Sequence, residues 1–216
     1  MFIFPAPYVA AGGMTVSFIA SSTSSGSDTI TAPASINAGD LLLLVDSCFF
    51  EQGGGVPTGF TSITSAISTF VDTLVSYKIA DGTEDSSSIT GQLGYISYEQ
   101  VKLMLQFRGS PAISSVTPQD IATQITDGNP TSQTCNAGSG QAPLIVIGSY
   151  GSNAPVDPRT FSTTADGEIS DSDFHAYGMS NYLKYKIYNS SPADTTIDMD
   201  DEGIENNLIS FYLELA

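Results

Sequence analysis

Apolar and polar positions along the chain predict strands almost throughout. "MTVSFIA" (Met14 to Ala20) alternates apolar with polar side chains, as a strand with one buried face does. "DLLLLVDSCFF" is a continuous apolar run between "NAGD" and "EQGGG", which suits a strand covered on both faces or an inner sandwich strand with a bulge. "FTSITSAIS", "TLVSYKIA" and "VKLMLQF" follow, then "APLIVIGSYG", "NYLKYKIY", "TTIDM" and "LISFYLEL", each set off by Gly, Ser, Asp and Thr. Short strands with a turn signal every ~8 to 12 residues predict an all-β sandwich or barrel. "TPQDIATQI" reads two ways: Thr117 and Pro118 suit a helix start, whereas its Thr and Ile suit a strand.

The strand pattern repeats. "YKIADGTEDSSSIT" (Tyr77 to Thr90) returns as "YKIYNSSPADTTID" (Tyr185 to Asp198). Around it, the apolar run of Leu41 returns at Leu144, "PTGFTSITSA" at "PRTFSTTADGE", and "VKLMLQF" at "LISFYLEL". The offsets are 103 (Leu41 to Leu144), 108 (Tyr77 to Tyr185) and 106 (Leu103 to Ile209), close to constant over three segments. An internal duplication over approximately residues 14–110 and 125–216 follows. A half with one apolar sheet face must bury it, and the nearest cover is its own copy. No Pro-rich or charged linker divides the halves. The expected architecture is a jelly-roll-like β-sandwich of two related halves, one domain over residues 14–216, preceded by an apolar arm at residues 1–13.

Charge narrows the partners. Six Lys and Arg stand against 23 Asp and Glu, a formal net charge of −17. Nucleic acid and anionic membrane surfaces both demand clustered cations, so neither is an expected partner. A hydrated acidic surface, and secondarily divalent cations, fit the balance. No apolar run reaches the ~18 to 20 residues of a membrane span, and "MFIFPAPYVAAGG" lacks the basic start of a signal peptide, so a soluble protein is expected. Cys48 and Cys135 border apolar strands and are expected as buried free thiols.

Several phrases of the first half together resemble a pattern of phage virion structural proteins. They are Pro33 with Gly39 and Asp40 leading into a Leu-rich strand, Pro57-x-Gly59-Phe60, the strand Tyr77 to Ala80 with its acidic turn at Asp81, and Phe107-Arg108-Gly109. Phe60 stands where that pattern usually has Trp. The resemblance covers Thr29 to Ser110 and reaches the second half only through the duplication. It implies assembly rather than chemistry: a capsid cement or decoration protein on the virion surface, bound to the major capsid protein, with a homotrimer implied by the symmetry of capsid sites. The alternatives are a tail or receptor-binding component, or a carbohydrate-binding module.

The inventory of reactive side chains points away from an enzyme. His175, beside Asp171 and Asp173, is the only histidine, no G-x-S-x-G elbow occurs, and "EQGGGVPTG" lacks the spacing and lysine of a phosphate loop. No cofactor is expected, calcium excepted. Asp198, Asp200 and Glu202 alternate before Gly203 as an EF-hand loop begins, but the twelfth position holds Ile209, so an acidic hairpin loop competes with a metal site. Partner contacts are expected from the arm (Phe2, Ile3, Phe4, Tyr8) and from Lys78 and Lys186, which occupy matching places in the repeat. A lysine in an alternating strand points off the core, toward solvent or toward acids of a neighbouring copy.

Overall fold

The structure, a computed structural model, describes residues 13–49, 55–69, 71–90, 100–126, 131–152, 160–161, 165–173, 179–199 and 206–216. The first half holds β1 (Thr15–Ser25), β2 (Thr29–Thr31), β3 (Asp40–Phe49), β4 (Thr61–Ile67), β5 (Val71–Ile79), β6 (Ser88–Thr90) and β7 (Gln100–Ser110). The second holds β8 (Val116–Thr126), β9 (Thr131–Cys135), a 3-10 turn (Ala137–Ser139), β10 (Leu144–Ser152), β11 (Thr160–Phe161), β12 (Gly167–Asp173), β13 (Met179–Tyr188), β14 (Thr195–Met199) and β15 (Asn206–Leu215).

The fold is an all-β sandwich whose halves each supply one sheet. The sheets run β1-β7-β3-β5-β4 and β12-β13-β10-β15-β8, antiparallel throughout. Replacing each first-half strand by its repeat partner (β8 for β1, β15 for β7, β10 for β3, β13 for β5, β12 for β4) turns the first order into the second, reversed. The small outer sheets follow suit: β2-β6 has its counterpart in β9-β14, to which the second half adds β11.

Register makes the equivalence residue-specific. Leu43 lies between Tyr77 and Leu105, and Ile147 lies between Tyr185 and Phe211. Leu43 to Ile147 is an offset of 104, so Leu41 answers to Ile145 rather than to Leu144. The correction matters because a slip of one residue exchanges the buried and outer faces of a strand. The pairings of β1 on β7 and of β8 on β15 both carry a register shift, between Phe18 and Ala20 and between Ser210 and Tyr212, whereas β4 on β5 carries one between Ser62 and Thr64 that its counterpart pairing, β12 on β13, lacks.

"TPQDIATQI" is the strand β8, not a helix. Pro118 sits on this edge strand opposite Leu213, where a missing N–H costs least, and Asp120 takes φ +49° within the bulge. Pairing with β15 along its length outweighs the local helix-start signal.

One core joins the halves. Leu41, Leu43, Val45, Leu103, Leu105 and Phe107 face Ile145, Ile147, Leu183, Ile209, Phe211 and Leu213, all fully buried. Each such side chain contributes about 2 kcal/mol relative to exposure. The tyrosines of the repeated phrase cross between the sheets in matching fashion. Tyr185 stacks on Phe18 at 5.1 Å and meets Phe107 edge-on at 5.4 Å, while the Tyr77 hydroxyl reaches the Val116 carbonyl of β8 at 3.4 Å.

The alternate residues of β3 face outward and are covered too. Leu42, Leu44 and Met104 pack under Ile30, Ile36 and Ala80 from β2 and the loops, so "LLLLV" is buried on both faces. In the second half the outer cover is aromatic. Tyr188 and Tyr212 pack with Leu144, Val146, Cys135 and Ala137, and Tyr150 packs with Ile197 and Leu208.

Candidate functional site

The charged side chains of the first half gather on the outer face of its sheet. Asp40 and Asp46, six residues apart on β3, stand opposite Arg108 and Lys102, six apart on β7. The Arg108 guanidinium grips Asp40 with two bonds, Nε to Oδ1 and Nη2 to Oδ2, each 2.7 Å. The Gln106 amide and the Asn37 backbone N–H also donate to Asp40 Oδ2, at 2.7 and 2.8 Å. Burial pushes the Asp40 carboxyl up, but these donors outweigh it and hold the group below its usual range. Arg108 also donates to the Ser35 carbonyl at 2.8 Å, which ties down the loop before β3.

Gly39 belongs to the same clamp. Its φ of +85° is reserved to glycine, and a Cβ there would lie 2.6 Å from Ala112 Cβ. The Pro33…Gly39-Asp40 and Phe107-Arg108-Gly109 phrases, distant in sequence, therefore meet as one device.

At the other end of the face, Lys102 and Asp46 are both fully buried, with Nζ 3.5 Å from Oδ1. Lys102 also donates to the Ser27 carbonyl at 2.6 Å. Burial lowers the lysine's proton affinity, and Asp46 opposes that effect. Nothing in the local sequence around either residue marks it. The signal was present as two acids and two bases at equal spacing on facing strands, which becomes visible only once β3 and β7 are known to be neighbours.

Lys78 lies between these groups on β5, opposite Leu42. It is half-buried and pairs with Glu84, which is largely buried, and with Asp81 at 3.5 Å. The hydrogen bond that Lys78 donates to the Glu84 carboxylate raises the lysine's affinity for its proton. Over it lies the turn Pro57-Thr58-Gly59-Phe60, closed by Phe60 N–H to the Pro57 carbonyl at 2.9 Å. Gly59 at φ +83° is the residue a type II turn requires, and its Cβ position lies 3.4 Å from Lys78 Nζ. Between this turn and β6 runs a cleft of about 320 Å³ lined by Thr58, Phe60, Lys78, Glu84, Ser88 and Thr90.

Lys186 occupies the equivalent place on β13, opposite Val146, and binds Asp166 at 2.8 Å. Both repeat lysines therefore point off the core, and both are engaged by acids of their own chain. Beside Lys186, Lys184 meets Glu168 at 3.2 Å.

Of the expected metal ligands and arm contacts, the structure describes Asp198 alone. Asp198 stands on β14 between Thr160 and Ser132, while Asp200 and Glu202 lie outside the described residues. Phe2, Ile3, Phe4, Tyr8 and His175 also lie outside them. Cys48 and Cys135 are buried free thiols, and burial pushes Cys135 up to about 12.

Chemically, the face offers fixed ion pairs that hold its loops, with hydroxyls and the Phe60 ring lining the cleft beside them. Neither protein-family models nor curated proteins nor solved structures give a match to this chain.

Proposed function

We propose that the chain is a structural protein of a phage virion, binding the capsid exterior as a cement or decoration protein that stabilises the shell. The observation that supports this reading is the use made of the phrases that resemble the virion pattern. Gly39, Asp40 and Arg108 clamp a loop, the Pro57–Phe60 turn covers Lys78, and Lys78 binds the turn containing Asp81 and Glu84. Each phrase fixes a loop on one sheet face, so what these residues have in common is a rigid surface.

A rigid surface suits cementing. Binding orders side chains and loops, and loops already held by ion pairs lose less freedom on docking. Contacts to the major capsid protein would be non-covalent and repeated over a homotrimer, with apolar area contributed by residues 1–13. The net charge of −17 keeps the outward surface hydrated and the particles apart.

Sedimentation tests the reading. The protein mixed with capsids stripped of accessory proteins should co-sediment with them and raise their disruption temperature. Deletion of residues 1–13 should weaken both effects. Co-sedimentation with tails alone, or with neither particle, would overturn the assignment.

A further inference from the structure

The two halves differ at one place in their backbone pairing. In the second half, β14 is paired on both sides, with β9 and with β11. In the first half its counterpart β6 is paired only with β2 among the described residues. Ile89 of β6 answers to Ile197 of β14, and Thr90 to Asp198, at the 108 offset that also relates Tyr77 to Tyr185. Since Phe161 and Thr160 of β11 pair with Ile197 and Asp198, the strand position that the described residues leave open lies alongside Ile89 and Thr90.

That position coincides with the cleft, which Ser88, Ile89 and Thr90 line on one side and Thr58 and Phe60 on the other. Its volume of about 320 Å³ suits a few residues of extended chain. The direction of the backbone groups follows from the β2 pairing. Ala32 N–H donates to the Ser87 carbonyl at 2.8 Å, so the Ser87 carbonyl and, two residues on, the main-chain groups of Ile89 turn toward β2. By antiparallel alternation, Ser88 and Thr90 turn theirs the other way, into the cleft. Both residues are exposed.

We propose that the open edge of β6 is a strand-addition site, at which an extended, basic segment of a partner protein takes the place that β11 takes in the second half. Main-chain bonds to Ser88 and Thr90 supply the affinity, as in other cases of strand addition to a sheet edge. Charge sets the preference: Glu84 lines the cleft with Lys78, Asp81 lies 3.5 Å from the same ammonium and the exposed Asp85 follows Glu84 in the chain, three acids to one base, so a segment bearing Lys or Arg is favoured over an acidic one. The inference stands on the duplication and holds whether or not the partner is a capsid protein.

The chain supplies its own probe, a capped peptide of residues 158–163 (Pro-Arg-Thr-Phe-Ser-Thr), which contains the β11 residues and one arginine. Titrated into the full-length protein, it should shift the backbone amide resonances of Ser88, Ile89 and Thr90 saturably and slow hydrogen exchange at Thr90. Thr90→Pro removes the outward N–H while leaving the β2 pairing intact, and should weaken binding at least about tenfold, whereas Thr90→Ala should change it less than about threefold. Should the proline variant not fold, the same peptide N-methylated at the nitrogens of Thr160 and Phe161 makes the equivalent test, and its binding should be lost. Unchanged binding by Thr90→Pro or by the N-methylated peptide, or shifts confined to other strands, would overturn the proposal. So would protection of the Thr90 amide in the free protein that disappears when residues 1–12 are deleted, since the chain's own segment would then occupy the edge.

Discussion

Replacing Asp46 by Asn should be among the most damaging single changes on the outer sheet face. Asp46 and Lys102 are both fully excluded from solvent, and the carboxylate at 3.5 Å is the ammonium's counter-charge. Removing one partner of such a pair strands the other charge in a poorly solvated site, at a cost of about 3–5 kcal/mol. With a urea m-value of about 2–3 kcal/mol/M for a chain of this size, the unfolding midpoint should fall by about 1.5 M. Removing both charges should behave differently. The second half carries Tyr150 and Leu208 as register partners at the same two positions, packed with Ile197. Asp46→Leu combined with Lys102→Met should therefore unfold within about 1 kcal/mol of the unmodified protein, or later. The pH dependence adds a check. Burial depresses the proton affinity of Lys102 below its ordinary 10.5, so between the folded and unfolded values the unfolded chain binds the extra proton and stability rises with pH. The Asp46→Asn deficit should accordingly shrink as pH climbs toward 10.5 and the lysine becomes neutral. A single variant within about 1 kcal/mol of the parent, or a double variant as damaged as the single, would refute this account of the pair.

The duplication predicts matched costs: Leu43→Ala and Ile147→Ala, at equivalent central positions, should each destabilise by about 3 kcal/mol in urea unfolding, and values differing by more than about 2 kcal/mol would count against equivalence. Arg108→Ala should cost about 2 kcal/mol, because Asp40 loses its bidentate partner and the Ser35 loop its anchor. Since the Asp40 carboxyl is held below its usual range, its contribution is present above the ordinary aspartate value of 3.8 and lost as pH falls through the lowered one, so parent and Arg108→Ala should converge in acid. A thiol reagent at pH 8 should label neither Cys48 nor Cys135 in the folded protein and both in denaturant, and rapid native labelling would contradict their burial.

The sandwich was legible because its signals are local. Alternation marks β1, the doubly apolar run marks β3, and the repeated Tyr-Lys-Ile phrase identifies β5 and β13 as counterparts. What escaped the sequence were relations between strands. Two charge pairs on β3 and β7 needed knowledge of who neighbours whom, and the slip from 103 to 104 needed the facing of Leu41, which a run of four leucines hides. In β8 the helix-start signal of Thr117 and Pro118 competed with pairing to β15, and long-range pairing prevailed. Of the site residues, Lys78 and Lys186 were placed on the right face by alternation alone, but their acidic partners in the same chain were not foreseen. Asp81 and Glu84 lie in the adjoining turn and Asp166 begins a different strand's approach, so only the fold brings them within reach.

The swap symmetry of the two sheets also bears on how the chain came to have unlike faces. Two identical subunits closing on one another must accept every substitution twice, so an ion pair suited to one outer face would appear on both. Covalent fusion releases that constraint. The Asp46–Lys102 pair on one side and Tyr150–Leu208 on the other, above inner faces that are alike, are differences that a single chain permits and a symmetric pair of chains would not. The difference at β6 and β14 follows the same pattern: β14 is paired on both sides, and β6 is paired on one side among the described residues.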